Sequence, residues 1–332
     1  MRFDFIHIGM MKTATTYMQN VWQQDPTYCL SWQGNTQFLN ELRNNVIQDN
    51  TNMLVSTLIN TDTVPKSNQT VVVSREGFST AFLNQPVYQD KIPEFVDYTS
   101  KSLNQVTKKT ENLLITIREP ISWIRSMYVQ SIKQGNYGSA QEFVDKQSEF
   151  LKNSLDLEYV ISCYKRYFSN ILVLPFELLK ENKKIFWGVI SDAFQVPVAK
   201  DNLDQKMNTS LNLERTYLLS KMNEMSRLLT NTLKNSSDYN NVKEKRHLII
   251  NHLSNEKWVH RRFVEYASSE QIHELYNLFG ITNPPIDFLE FKLTNDLKDA
   301  IQKNYIDFLK ENTIPEVSEE YQAAFDEITH NI

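Results

Sequence analysis

The residues best suited to do chemistry stand together near the start of the chain: Lys12, Thr13, Ala14, Thr15 and Thr16. They follow the apolar run Phe5-Ile6-His7-Ile8-Gly9 and open a segment with helical periodicity. A strand that turns through a short loop into a helix exposes unpaired N–H groups at the helix start, and the helix dipole adds partial positive charge there. Lys12 supplies a full charge on a mobile arm. The threonine hydroxyls supply further donors, and one of them is expected to cap the helix. The chemistry this predicts is the cradling of a phosphate or sulfate group. A plainer reading fits the same letters, a polar helix start with a solvated lysine. The order Lys-Thr-x-Thr-Thr is not the Walker A pattern, in which a glycine directly precedes the lysine.

A second cluster lies at Arg118, Pro120 and Ser126. Pro120 suits the first turn of a helix. Arg118 is thereby placed at the carboxyl end of the preceding strand, where open α/β sheets bind ligands. Its guanidinium can hold a phosphate through two hydrogen bonds. Ser126 follows about two turns into the helix. The alternative is that Arg118 pairs with a carboxylate and Ser126 is a surface hydroxyl. Two such motifs, in this order and each after a predicted strand, support one another.

Together these motifs resemble the PAPS-dependent sulfotransferases (PAPS is 3′-phosphoadenosine-5′-phosphosulfate), above all the bacterial and carbohydrate-type members. Their 5′-phosphosulfate loop typically reads K-[ST]-G-T-T after the first strand. Here Ala14 stands at the glycine position: a positive φ would strain it, whereas helical φ would suit it. The spacing R-x-P-x5-S-x-Y resembles the family's 3′-phosphate motif, with Tyr128 at the usual aromatic position. The resemblance implies a three-layer P-loop-like α/β fold, with a central parallel sheet flanked by helices and a helical C-terminal region. It implies transfer of a sulfuryl group from PAPS to an acceptor hydroxyl or amine, on a carbohydrate or glycolipid, with PAP (the 3′,5′-bisphosphate) as product and no metal. It assigns Lys12 to catalysis and, with Thr13, Ala14, Thr15 and Thr16, to the 5′-phosphosulfate. Arg118 and Ser126 go to the 3′-phosphate, with Lys206 a weaker candidate. The likeness spans residues 3–200, includes a segment around Glu177 read as structural, and fades near Asn208-Thr209-Ser210.

The segment Val73-Ser74-Arg75-Glu76-Gly77 is expected beside the acceptor. In the carbohydrate-type enzymes a Glu or His near this region can serve as base, and the resemblance gives that role to Glu76. Pairing with Arg75, or capping of a helix, is the structural alternative. Arg75 is a candidate for donor or acceptor anions. His7, inside the first strand, is expected in the core, and the other histidines lack zinc-type spacing. Lys243, Lys245, Arg246, Arg261 and Arg262 form the most basic stretch, either a solvated helix face or a lid.

These side chains need a scaffold. Apolar runs at 3–8, 70–74, 113–118 and 171–175 predict strands buried on both faces, as in a parallel sheet. Helical periodicity is expected at 15–24, 37–48, 121–133, 140–153 and 157–168. Beyond about residue 201 only helices are expected: 211–233, 243–254, 258–265, 269–279 and 295–309, with a polar loop at 231–241. The domain division read from this is an α/β core over 1–205 and a helical extension over 206–332 packed on the core beside the acceptor. With 332 residues and 41% hydrophobic content a sizeable core is available. A net charge of -5 argues against general nucleic-acid binding. Two cysteines are too few for a disulfide scaffold and are expected reduced. No secretory or membrane-spanning stretch is evident, so a cytoplasmic location is expected. Competing functions are a P-loop kinase or NTPase and a catalytically silent anion-binding module.

Overall fold

Side chains that are apolar on both faces of a strand force that strand to the centre of the molecule. The computed structural model describes residues 3–82, 85–107, 110–202, 211–234 and 243–312. In it five strands form one sheet: β1 (Phe5–His7), β2 (Tyr28–Ser31), β3 (Thr70–Ser74), β4 (Asn112–Ile117) and β5 (Asn170–Pro175). All neighbours are parallel, in the order β2-β3-β1-β4-β5. Every residue of β1 and β3 is buried, as are Leu113, Leu114, Ile115 and Ile117 of β4. Each Val, Leu, Ile or Phe among them contributes about 1.5–3 kcal/mol on leaving water.

Helices alternate with the strands: α1 (Thr15–Gln24), α2 (Thr36–Ile47), α3 (Ile92–Val106), α4 (Pro120–Lys133), α5 (Ala140–Lys146), α6 (Ser148–Ser154), α7 (Leu157–Lys165), α8 (Phe176–Glu181) and α9 (Lys183–Phe194). Further on come α10 (Leu213–Lys234), α11 (Lys243–Tyr266), α12 (Ser269–Leu278), α13 (Asn295–Ile301) and α14 (Phe308–Asn312), the last two joined by a π-helical turn, Gln302–Asp307. The expected α/β fold, a parallel sheet flanked by helices, is what the chain adopts.

Several details differ from expectation. The strand β2 escaped notice because Tyr-Cys-Leu-Ser is short and carries little alternation. It is an edge strand, tied down by Ser31 Oγ donating to the Asn60 carbonyl at 2.5 Å. The helix α3 was also missed, since Thr99, Ser100 and Ser102 interrupt its apolar stripe although all three are buried. The expected helix at 140–153 is two helices, and those at 243–254 and 258–265 are one. Of the polar stretch 231–241, residues 231–234 belong to α10 and the rest lie outside the described residues.

The chain forms two compact units. The first comprises Met1–Trp123, Ser148–Met207 and Thr294–Ile332 and contains the whole sheet. Inside it α1 and α9 cover β1 through aromatic rings: Phe5 meets Trp22 at 5.6 Å and Phe194 at 5.2 Å, and Trp22 meets Trp187 at 5.8 Å. The second comprises Ile124–Gln147 and Asn208–Leu293 and is helical among its described residues. There Asn223 donates to the carbonyls of Ile132 and Asn136, both at 2.8 Å, and Lys133 pairs with Glu265 at 3.0 Å. Cys29 and Cys163 are free and buried. No helix among the described residues is long and apolar enough to cross a membrane.

Candidate functional site

Strand order determines where a ligand can bind. β1 lies between β3 and β4, so the chain leaves β1 to build one side of the sheet and later returns to build the other. The crevice outside the carboxyl ends at such a reversal is the usual ligand site of open α/β sheets. Three loops leave the sheet at that edge, after β3, β1 and β4. They carry Glu76, Lys12 and Arg118, all within the first unit.

The loop after β1 is held from below by a buried polar chain. His7 is fully buried, with Nδ1 2.9 Å from Ser74 Oγ and Nε2 3.0 Å from Thr116 Oγ1. Thr116 Oγ1 is 2.8 Å from Thr13 Oγ1, which donates to the Met10 carbonyl at 2.6 Å. Each hydroxyl has one proton, so the direction is determined. Thr13 donates to Met10, Thr116 to Thr13, and His7 Nε2–H to Thr116, which leaves Nδ1 to accept from Ser74. Burial pulls the imidazole pKa down to about 3, so the ring is neutral and Nδ1 is the acceptor. This agrees with the expected core placement of His7. It corrects the expectation for the Thr13 hydroxyl, which is used inside the protein and is no donor to a ligand. Gly9 makes room for the chain, since a Cβ there would lie 1.9 Å from Thr116 Oγ1.

Above this chain the loop is strained. Lys12 has φ 66° and Ala14 φ 59°, both left-handed. Ala14 is the N-cap of α1, with ψ 25°, and no side chain caps that helix end. The cap expected from a threonine is thus missing, and Ala14 occupies the geometry in which glycine is relaxed. Trp123 braces the loop by donating its indole N–H to the Met11 carbonyl at 2.7 Å.

Arg118 closes against the same loop. Its Nη1 donates to the Lys12 carbonyl at 3.1 Å, and its Nε and Nη2 to Ser122 Oγ at 3.2 and 2.8 Å. The guanidinium also lies 5.1 Å from the Phe176 ring centre. Burial draws the Arg118 pKa below its ordinary value, while Glu177 and Glu119 oppose that shift. Tyr305, on the π-helical turn and fully buried, grips the Arg118 backbone. Its hydroxyl donates to the carbonyl at 2.7 Å and accepts from the N–H at 3.2 Å. Glu119 caps α4 by accepting from the N–H groups of Ile121 and Ser122 at 2.7 and 2.5 Å. Glu177 is buried and accepts from the Glu119 N–H at 3.3 Å. Ser126, four residues past Ser122, belongs to the second unit, where its hydroxyl is buried and has no hydrogen-bond partner among the described residues.

A cleft of about 350 Å³ opens beside the loop, lined by Thr16, Trp32, Arg43, Arg75, Glu76 and Phe82 among others. Glu76 follows β3 on a short 3-10 turn, Glu76–Phe78. Burial raises its pKa above the usual carboxylate range, and Lys12 and then Arg75 pull it back. Thr15 faces the carboxylate without completing a hydrogen bond of ordinary geometry. Arg75 donates to the Trp32 carbonyl at 3.2 Å. Arg43, which sequence reasoning missed, donates to Gln85 Oε1 at 3.0 Å. Its only signal was a basic residue on the half-buried side of α2. Lys206 and Asn208-Thr209-Ser210 lie outside the described residues, as do the side chains of Lys243, Lys245 and Arg246. Arg261 pairs with Glu265 at 3.0 Å and Arg262 lies near Tyr266, both in the second unit.

No protein-family model matches the chain, and no curated protein matches it. Among solved structures, a sulfotransferase from Alicyclobacillus acidocaldarius is similar to it, with 11% identity over 77% of this chain and 95% of that one and a TM-score of 0.41. At that identity and score the likeness carries nothing over to the residues of the site.

Proposed function

We propose that the chain transfers a sulfuryl group from PAPS to an acceptor hydroxyl on a carbohydrate or glycolipid. One observation carries the reading: the Arg118 guanidinium lies 3.1 Å from the Lys12 carbonyl, at the reversal of strand order. One bisphosphorylated nucleotide can therefore meet both cations. The sequence motifs around them, K-T-A-T-T and R-x-P, resemble those of PAPS-dependent sulfotransferases, with Ala14 at the usual glycine position.

In this reading the N–H groups at the start of α1 and the hydroxyls of Thr15 and Thr16 bind the 5′-phosphosulfate. Arg118 binds the 3′-phosphate with the N–H groups that Lys12 and Ser122 leave free. The acceptor oxygen forms a new bond to sulfur and gives its proton to the Glu76 carboxylate. The bond from sulfur to the bridging oxygen of the donor breaks in line with that attack. Lys12 neutralises the charge left on the bridging oxygen, and PAP departs. The raised proton affinity of Glu76 suits a base.

Calorimetry with PAP, AMP and ATP tests the donor class. A strong preference for PAP is expected. Equal or weaker binding of PAP relative to ATP refutes the proposal.

A further inference from the structure

The cleft that holds Glu76 carries more positive charge than sulfuryl transfer uses. Arg43 comes from α2 and Arg75 from the loop after β3, and both line the cleft half-buried. Neither forms an ion pair with a carboxylate among the described residues. Glu76 and, more weakly, Asp62 influence Arg75 without an ion pair, and the Asp62 carboxylate accepts from the Gly34 N–H at 2.8 Å and from the Trp32 N–H at 3.1 Å. Among the described residues Arg43 gives an N–H only to Gln85, and Arg75 only to the Trp32 carbonyl. The rest of each fork is open to water or to a ligand.

Both forks are also held in place. Arg43 lies 5.5 Å from the Phe82 ring centre while Gln85 fixes its far side. Arg75 is anchored by Trp32. Burial draws the pKa of both below the ordinary arginine value. Two desolvated and pre-aimed guanidinium groups with no carboxylate in ion-pair contact among the described residues are suited to an external anion. The cleft's volume, about 350 Å³, is at the low end of the ~300–1,000 Å³ typical of small-molecule sites. That suits one sugar ring or a group of similar size, with Trp32 and Phe82 as aromatic walls.

We propose that the acceptor is an acid: a hydroxyl compound bearing a carboxylate, phosphate or sulfate group, which Arg43 and Arg75 bind while the hydroxyl faces Glu76. The fate of that hydroxyl rests on the sulfuryl-transfer reading, but the binding of the anion does not. An anion seated there also offsets the positive charge that holds down the proton affinity of Glu76, and so makes Glu76 a stronger base. A neutral analogue leaves both arginines unpaired in a desolvated cleft and is rejected for that reason.

The test titrates the full chain with D-glucuronate, glucose 6-phosphate, glucose 6-sulfate and neutral D-glucose, with and without saturating PAP. At least one acid is expected to bind about tenfold or more tightly than glucose. Arg43→Gln and Arg75→Gln are each expected to weaken that acid about tenfold and to leave PAP affinity within about threefold. Arg43→Lys and unchanged circular dichroism control for folding. The proposal is overturned if no acid outbinds glucose, or if the glutamine variants bind the acid as well as the parent. It is also overturned if their loss falls on PAP, which would assign the arginines to the donor. Absence of PAP binding in the parent refutes the donor reading alone, because the titrations without PAP still report on the cleft.

Discussion

Replacing Ala14 by Gly should stabilise the protein, against the usual rule that glycine in place of alanine weakens a fold. Ala14 has φ 59° and ψ 25°, squarely left-handed. An L-residue there is disfavoured by about 1–2 kcal/mol relative to right-handed backbone. Glycine removes that term and returns about 0.5–1 kcal/mol through the greater freedom of the unfolded chain. The N-cap position points the same way, since glycine is a better cap than alanine. The balance is a gain of about 0.5–1 kcal/mol, or about 1–4 °C in Tm for a chain of this class. Urea denaturation measures it as a higher midpoint at unchanged slope. Ala300→Gly, in the right-handed interior of α13, is the matched control and should cost about 1 kcal/mol. If both variants lower the midpoint alike, the left-handed loop does not exist in solution, and the geometry assigned to the anion site falls with it.

Other expectations concern chemistry and pH. Lys12→Ala should lower turnover with PAPS at least about 100-fold while circular dichroism is unchanged; near-parental turnover would remove Lys12 from the mechanism. Glu76→Gln should lower kcat by about 10²–10⁴ and flatten the rise of rate with pH, because Glu76 acts only after losing a proton that burial holds above the usual carboxylate range. A variant that keeps the parental pH profile would exclude Glu76 as base. His7, with a folded pKa of about 3 against 6.5 unfolded, contributes stability that is complete above pH 6.5 and is lost as pH falls toward 3. Nitrogen NMR should find its ring neutral at pH 5 with the proton on Nε2; titration near 6.5 would break the hydrogen-bond chain deduced for it.

What could be read from the residue order has a physical boundary. The loop at 12–16 and Arg118 were legible because each follows an apolar run too continuous to be anything but a covered strand. Their meeting follows from parallel strands sharing one edge. Arg43, Trp123, Ser122 and Tyr305 were not legible as site residues. Arg43, Trp123 and Tyr305 act through contacts made only by the assembled fold, Trp123 being 112 residues from the carbonyl it binds, whereas Ser122 meets Arg118 four residues away on a turn whose geometry the letters do not show. The hydroxyl of Thr13 was misjudged because its proton turns back to the Met10 carbonyl three residues away, while Thr116, 103 residues away, takes its acceptor side. The helix α3 was hidden by buried serines and threonines on its core face, of which Ser100 turns its hydroxyl back on the Asp97 carbonyl.

The grip of Tyr305 on Arg118 spans 187 residues. As the chain emerges from the ribosome, the sheet can form long before that tyrosine is made. Until then the peptide groups at Arg118 lack the partner that holds them in the finished protein. Translation therefore imposes an order: every strand of the sheet is made before the tyrosine that holds the Arg118 backbone. A stop codon shortly before position 305 would keep every strand of the sheet and remove the hydroxyl that holds the Arg118 backbone.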